Sequence, residues 1–123
     1  MPLARNVMRG GVSAGSARAM NGNEVQSALT AAGTTQSDAV AMEGDVNIIS
    51  TATTGQGGIL SAYAIAGDDQ VVYNSTSVDI RVYPPSGGNV NQLAANSGFV
   101  LAPNTGVLCK KVTSTQWLGF LSA

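Results

Sequence analysis

From residue 37 onward the chain alternates short runs of extended character with clusters of turn-forming residues. Val46, Ile48 and Ser50 alternate with Asn47, Ile49 and Thr51, so this run carries apolar groups on both faces near its centre. Runs of the same kind follow at 39–42, 57–60, 70–74, 77–83, 98–101, 106–113 and 116–121. A period of two puts successive side chains on opposite faces, which is the signature of a strand and cannot be laid out as one stripe of a helix. Each run ends in turn chemistry: Thr54-Gly55-Gln56-Gly57-Gly58, Ala66-Gly67-Asp68-Asp69, Asn74-Ser75-Thr76-Ser77, Pro103-Asn104-Thr105-Gly106 and Thr113-Ser114-Thr115. About eight short strands spaced by roughly eight to twelve residues predict an all-β domain, an antiparallel sandwich or barrel of jelly-roll-like form. The short loops Asn74–Ser77 and Ser114-Thr115 predict hairpins between sequence neighbours.

The 36 residues before this region differ in character. The first 23 hold Arg5, Arg9 and Arg18 and no acid, whereas from Glu24 onward three basic residues face seven acidic ones. A charge division of this kind marks an arm that docks on something else. The expected division is therefore an arm over 1–36 and a β-domain over 37–123. Within the arm, Val25, Ala28, Leu29 and Ala32 fall at i, i+3, i+4 and i+7, with Asn23 placed to cap and Gly33 to terminate. The segment 24–32 thus reads as one short helix, with an extended lead into the first strand as the alternative. Three arginines without an aromatic residue are a sparse nucleic-acid footprint, so an acidic protein surface explains the arm at least as well.

Charged residues make up 11% of the chain, against roughly a quarter in ordinary soluble domains. So few charges suit a protein that covers much of its surface with copies of itself or with a larger assembly. No stretch approaches the ~20 apolar residues of a membrane span, and Gly10–Ser16 is too polar for a secretory signal, so synthesis inside the cell is expected.

Chemistry-bearing patterns are scarce. Histidine is absent, which removes the usual base of a nucleophilic triad, and Cys109 is the single cysteine, set in the apolar run Val107-Leu108-Cys109. Asp68-Asp69 read as turn residues rather than a carboxylate pair, and Glu43-Gly44-Asp45 is too sparse for a calcium loop. Gly10-Gly11-Val12-Ser13-Ala14-Gly15-Ser16 lacks the lysine of a phosphate-binding loop. Lys110-Lys111 predict one inward and one outward side chain of a strand. The expectation is an assembly component without cofactor, metal or catalytic residues. In VYPPSGGNV, Pro84 and Pro85 stop the preceding strand, and Gly87 and Gly88 supply the backbone freedom of a structural corner.

Three blocks carry a family resemblance: Asp69-Gln70-Val71-Val72-Tyr73-Asn74, then Val78-Asp79-Ile80-Arg81-Val82-Tyr83-Pro84-Pro85-Ser86-Gly87-Gly88-Asn89-Val90-Asn91-Gln92-Leu93-Ala94-Ala95-Asn96, then Ser114-Thr115-Gln116-Trp117. From about residue 28 to the end, their order resembles small virion proteins of tailed bacteriophages, of the capsid decoration (cement) or head-fibre kind. The resemblance implies a homotrimeric β-structure on the outside of the capsid, with the major capsid protein as partner and the N-terminal arm as anchor. On that reading Leu3, Arg5, Val7, Met8, Arg9 and Arg18 make the shell contact. The chain has no heptads or repeats to build a shaft, which favours a compact knob. The alternative is a receptor- or glycan-binding domain of a tail fibre or spike, with host surface glycan as partner; a third is an arm touching packaged DNA.

Overall fold

The computed structural model describes residues 24–122. Among the described residues ten strands form two sheets: β1 (Val25–Thr30), β2 (Val40–Ala41), β3 (Val46–Thr51), β4 (Gly57–Ile59), β5 (Asp69–Asn74), β6 (Ile80–Tyr83), β7 (Asn89–Val90), β8 (Phe99–Leu101), β9 (Gly106–Lys111) and β10 (Gln116–Leu121). The six-stranded sheet has the order β1-β3-β5-β9-β10-β7, and the four-stranded sheet β2-β4-β6-β8. Successive strands alternate between the sheets from β1 to β8. The chain therefore coils, stacking β3 parallel on β1 and β5 parallel on β3, with β4 on β2 and β6 on β4 in the second sheet. Val25 pairs with Val46 and Val46 with Val71, partners 21 and 25 residues apart along the chain. After the third coil β8 and β9 add antiparallel to β6 and β5, and β10 returns on β9.

This is a two-sheet β-solenoid, and it overturns the antiparallel sandwich or barrel. The all-β character stands; the connectivity does not. Asn74–Ser77 does not fold β5 back as a hairpin but carries the chain over to β6 in the other sheet. Asn74 turns that corner with its side chain: Nδ2 donates to the carbonyls of Val78 and Leu101 at 2.8 and 2.9 Å, and Oδ1 accepts from the Thr76 N–H at 2.9 Å. The hairpin at Ser114-Thr115 does form, between β9 and β10.

The helix expected over 24–32 is also replaced, by β1. Val25 and Thr30 are β-branched and a nine-residue helix is marginal alone, whereas a parallel strand on β3 gains ladder hydrogen bonds and packs Leu29 against the core. Residues assigned to the arm thus join the sheet, and Ala31 is buried in the core.

The core lies between the sheets and gathers Met42, Ile49, Leu60, Val72, Ile80, Val82, Val90, Leu101, Val107, Cys109 and Trp117. Buried amides clamp the coil corners from inside. Asn47 Oδ1 accepts from the Gly44 N–H at 3.0 Å while its Nδ2 donates to the carbonyls of Gly44 and Val71 at 2.8 and 3.2 Å. Backbone groups at a coil corner have no ladder partner, and inward amides satisfy them where water does not reach.

Candidate docking face

The outward side chains of the six-stranded sheet are set by strand alternation. In β3, β5 and β9 the residues Asn47 and Ile49, Gln70, Val72 and Asn74, and Val107, Cys109 and Lys111 are buried, so Val46 and Ile48, Val71 and Tyr73, and Leu108 and Lys110 point away from the core. The ladder brings these outward residues into line. Val25 lies beside Val46, Val46 beside Val71, Val71 beside Leu108 and Leu108 beside Phe120. One apolar row therefore crosses five strands. Val25 is 60% exposed and Phe120 56%, values high enough to leave the row open to a partner. Ile48 and Tyr73 form a second, shorter rung beside Gly106, and Tyr73 lies close over that glycine. Among the strand residues of this face the charges are Asp69 and Lys110, which pair at 3.9 Å.

One end of the coil is acidic. Glu24, Glu43, Asp45, Asp68 and Asp69 sit at the start of β1 and at the corners leading into β3 and β5, five of the chain's seven acids. Gln70 ties these corners together, accepting from the Ser61 N–H at 2.8 Å and donating to the carbonyls of Met42 and Gly44 at 2.7 and 2.9 Å. Glu43 accepts from the Ser61 hydroxyl at 3.0 Å. Burial raises the Asp45 carboxyl above its ordinary value, and Asp45 Oδ2 is buried without a hydrogen-bond partner among the described residues. From this end projects the loop Ala62–Ala66, with Tyr63 88% exposed and Ile65 69%. Its backbone is braced: Lys111 Nζ donates to the Ala64 carbonyl at 2.7 Å, and Asp68 Oδ2 accepts from the Ile65 N–H at 3.0 Å.

The groups weighed for chemistry have structural roles here. Cys109 is fully buried and its thiol is pushed up to about 12 by burial, which leaves essentially no thiolate at neutral pH. Asp68 closes a turn and Asp69 faces Lys110. Lys111 points inward, 8% exposed, with Nζ 5.9 Å from the centroid of the Trp117 ring, while Lys110 points outward. Among the described residues no three His, Cys, Asp or Glu side chains are placed to hold a metal ion, and no helix is long and apolar enough to cross a membrane.

The expected shell-contact residues Leu3, Arg5, Val7, Met8, Arg9 and Arg18 lie outside the described residues. Pro84, Pro85, Gly87 and Gly88 form the corner between β6 and β7. The Gly88 N–H donates to the Pro85 carbonyl at 2.8 Å, Gly87 takes φ 84°, and the Gly87 N–H donates to Asn96 Oδ1 at 2.6 Å. Both prolines and Gly88 are buried while Ser86 and Gly87 are exposed, so the corner is anchored in the body with only its tip open. The row from Val25 to Phe120 was not among the expected sites. Its signal in the sequence is the two-sided apolar character of Val46–Ile49, which a half-buried strand with a solvated face does not need. No protein-family model matches the chain, and no curated protein matches it.

Proposed function

We propose that this chain is a structural virion protein that binds the outer surface of a bacteriophage capsid as a homotrimer and stabilises the shell. The observation that carries the reading is the outer face of the six-stranded sheet, an apolar surface aligned across five strands on a body with few charges. Such a surface fits permanent contact between proteins better than turnover of a small molecule. The resemblance of residues 28 onward to phage decoration proteins supplies the setting.

The division of labour follows from charge. Residues 1–23 carry three arginines without an acid, and the remainder carries three basic residues against seven acids. The arm is the part suited to an acidic shell surface, with Leu3, Val7 and Met8 as apolar anchors, and the acidic body stays outside. Stabilisation is then a matter of linkage. A protein that binds the assembled shell and not its free subunits adds about 2.7 kcal/mol per site at a free concentration a hundredfold above Kd.

Removing residues 1–22 leaves β1 whole, so the truncated chain is expected to keep the circular dichroism and melting of the full protein. It is also expected to lose co-sedimentation with capsids. Undiminished co-sedimentation of the truncated protein would overturn the arm's role.

A further inference from the structure

We infer that the outer face of the six-stranded sheet is where copies of this chain meet. The inference rests on the trimer proposed above only for the number of copies; the face itself is argued from its own composition and size.

The row Val25, Val46, Val71, Leu108 and Phe120 is continuous because the ladder places each residue beside the next. Five strands at ~4.8 Å by six residues at ~3.3 Å make a footprint of roughly 500 Å². Side chains standing on that footprint present more accessible area than the plane beneath them. The total comes to the order of the ~800 Å² that each partner contributes to a standard interface. In a trimer the three faces turn toward the three-fold axis, where their Val, Leu and Phe side chains pack against those of the neighbouring copies.

Charge selects the occupant. The body from Glu24 onward carries an excess of four acids within a chain of formal net charge −1, so a contact between copies favours a surface that adds no net charge of its own. This face meets that condition, because its acid, Asp69, and its base, Lys110, pair with each other. Residues 1–23 suit it poorly. Their three arginines would lie over an apolar row whose one carboxylate already has a cation beside it.

The test is sedimentation velocity across a concentration series on the full chain, with Leu108→Asp and Phe120→Asp on the face. Val100→Asp is the control, 47% exposed on the outside of the other sheet. The wild type and the control are expected to associate equally. Each face variant should weaken association by roughly a hundredfold or more, since an unpaired carboxylate would be desolvated within the contact. A wild-type monomer, or association unmoved by both face variants, would overturn the inference. So would association lost only on removal of residues 1–22, which would assign the contact to that segment.

A second experiment holds if an aspartate variant fails to fold. Phe120→Cys should form a covalent dimer under mild oxidation or with a short bis-maleimide, and Val100→Cys should not; buried Cys109 stays out of both reactions. Absence of the Phe120→Cys cross-link would contradict the inference. Co-sedimentation of Leu108→Asp with capsids separates the two readings: binding retained by a monomer leaves the shell reading intact. Assembly that persists without capsid binding leaves the face intact and removes the shell.

Discussion

Replacing Gln70 by leucine is expected to destabilise the protein by about 2–6 kcal/mol, because the buried amide is the hydrogen-bond partner of two backbone groups and shares a third. The side chain is 5% exposed at the second position of β5, next to the acidic end of the coil. It accepts from the Ser61 N–H and donates to the carbonyls of Met42 and Gly44. These groups belong to the β2–β3 corner and to the segment after β4, so one amide fixes two coil connections on the strand between them. Leucine fills a similar volume but leaves the Ser61 N–H and the Met42 carbonyl buried without partners, each costing ~1–3 kcal/mol, while the Gly44 carbonyl keeps its bond from Asn47. Against a total stability of ~5–15 kcal/mol the loss is severe. Urea unfolding should show a lower midpoint with an unchanged slope. A midpoint equal to the wild type would mean that water reaches this corner and that the amide does not hold the coils.

Gly57→Ala is the second large effect. A Cβ at this position would stand 2.5 Å from the backbone oxygen of Arg81 and 2.8 Å from Cε2 of Tyr83. The first of these atoms is main chain of the adjacent strand, so β4 and β6 would have to separate. Tyr83 has no room to yield either. Its ring also lies against Gly98, where a Cβ would fall 2.7 Å away, and its hydroxyl donates to the Thr34 carbonyl at 3.1 Å. The two glycines are the bed of this tyrosine on the outside of the four-stranded sheet, and that is why Tyr83 is only 5% exposed on a face that points away from the core. Overpacking of this kind costs ~1–3 kcal/mol or more, and the rigid neighbour places Gly57→Ala at the upper end. Gly119→Ala is the comparison, since its nearest contact would be a Val107 methyl at 3.3 Å, and its thermal midpoint should fall much less. Equal midpoints for the two variants would show that the strands can part freely at Gly57.

These two sites also show what a sequence can carry. The strands were legible because alternation and turn residues are local properties, and Val46–Thr51, Gln116–Leu121 and the corner after Tyr83 follow from them. Sheet membership was not, because a run of six residues followed by Gly and Asn looks the same whether the chain reverses beside itself or crosses to the opposite sheet. β1 was misread for a more specific reason. Its register against β3 is irregular between Gln26 and Leu29, which puts Val25 on the outer face and Leu29 against the core. A strand with such an irregularity loses its period of two, and Val25, Ala28, Leu29 and Ala32 then imitate a helical stripe. Asn47, Gln70 and Asn74 are polar, yet all three turn inward, because coil corners supply backbone groups that need them. The apolar row is a property of register across five strands. Only its β3 part, with apolar residues at both parities, was visible in one dimension.

The central claim concerns where the protein sits, and one measurement addresses it directly. A C-terminal tag extends from the chain just beyond β10, and virions carrying tagged protein can be imaged with an electron-dense label. The shell-binding account predicts labels spread over the whole head in many copies per particle. Labels confined to a single vertex or to the tail would contradict it and favour a receptor-binding domain of a fibre or spike.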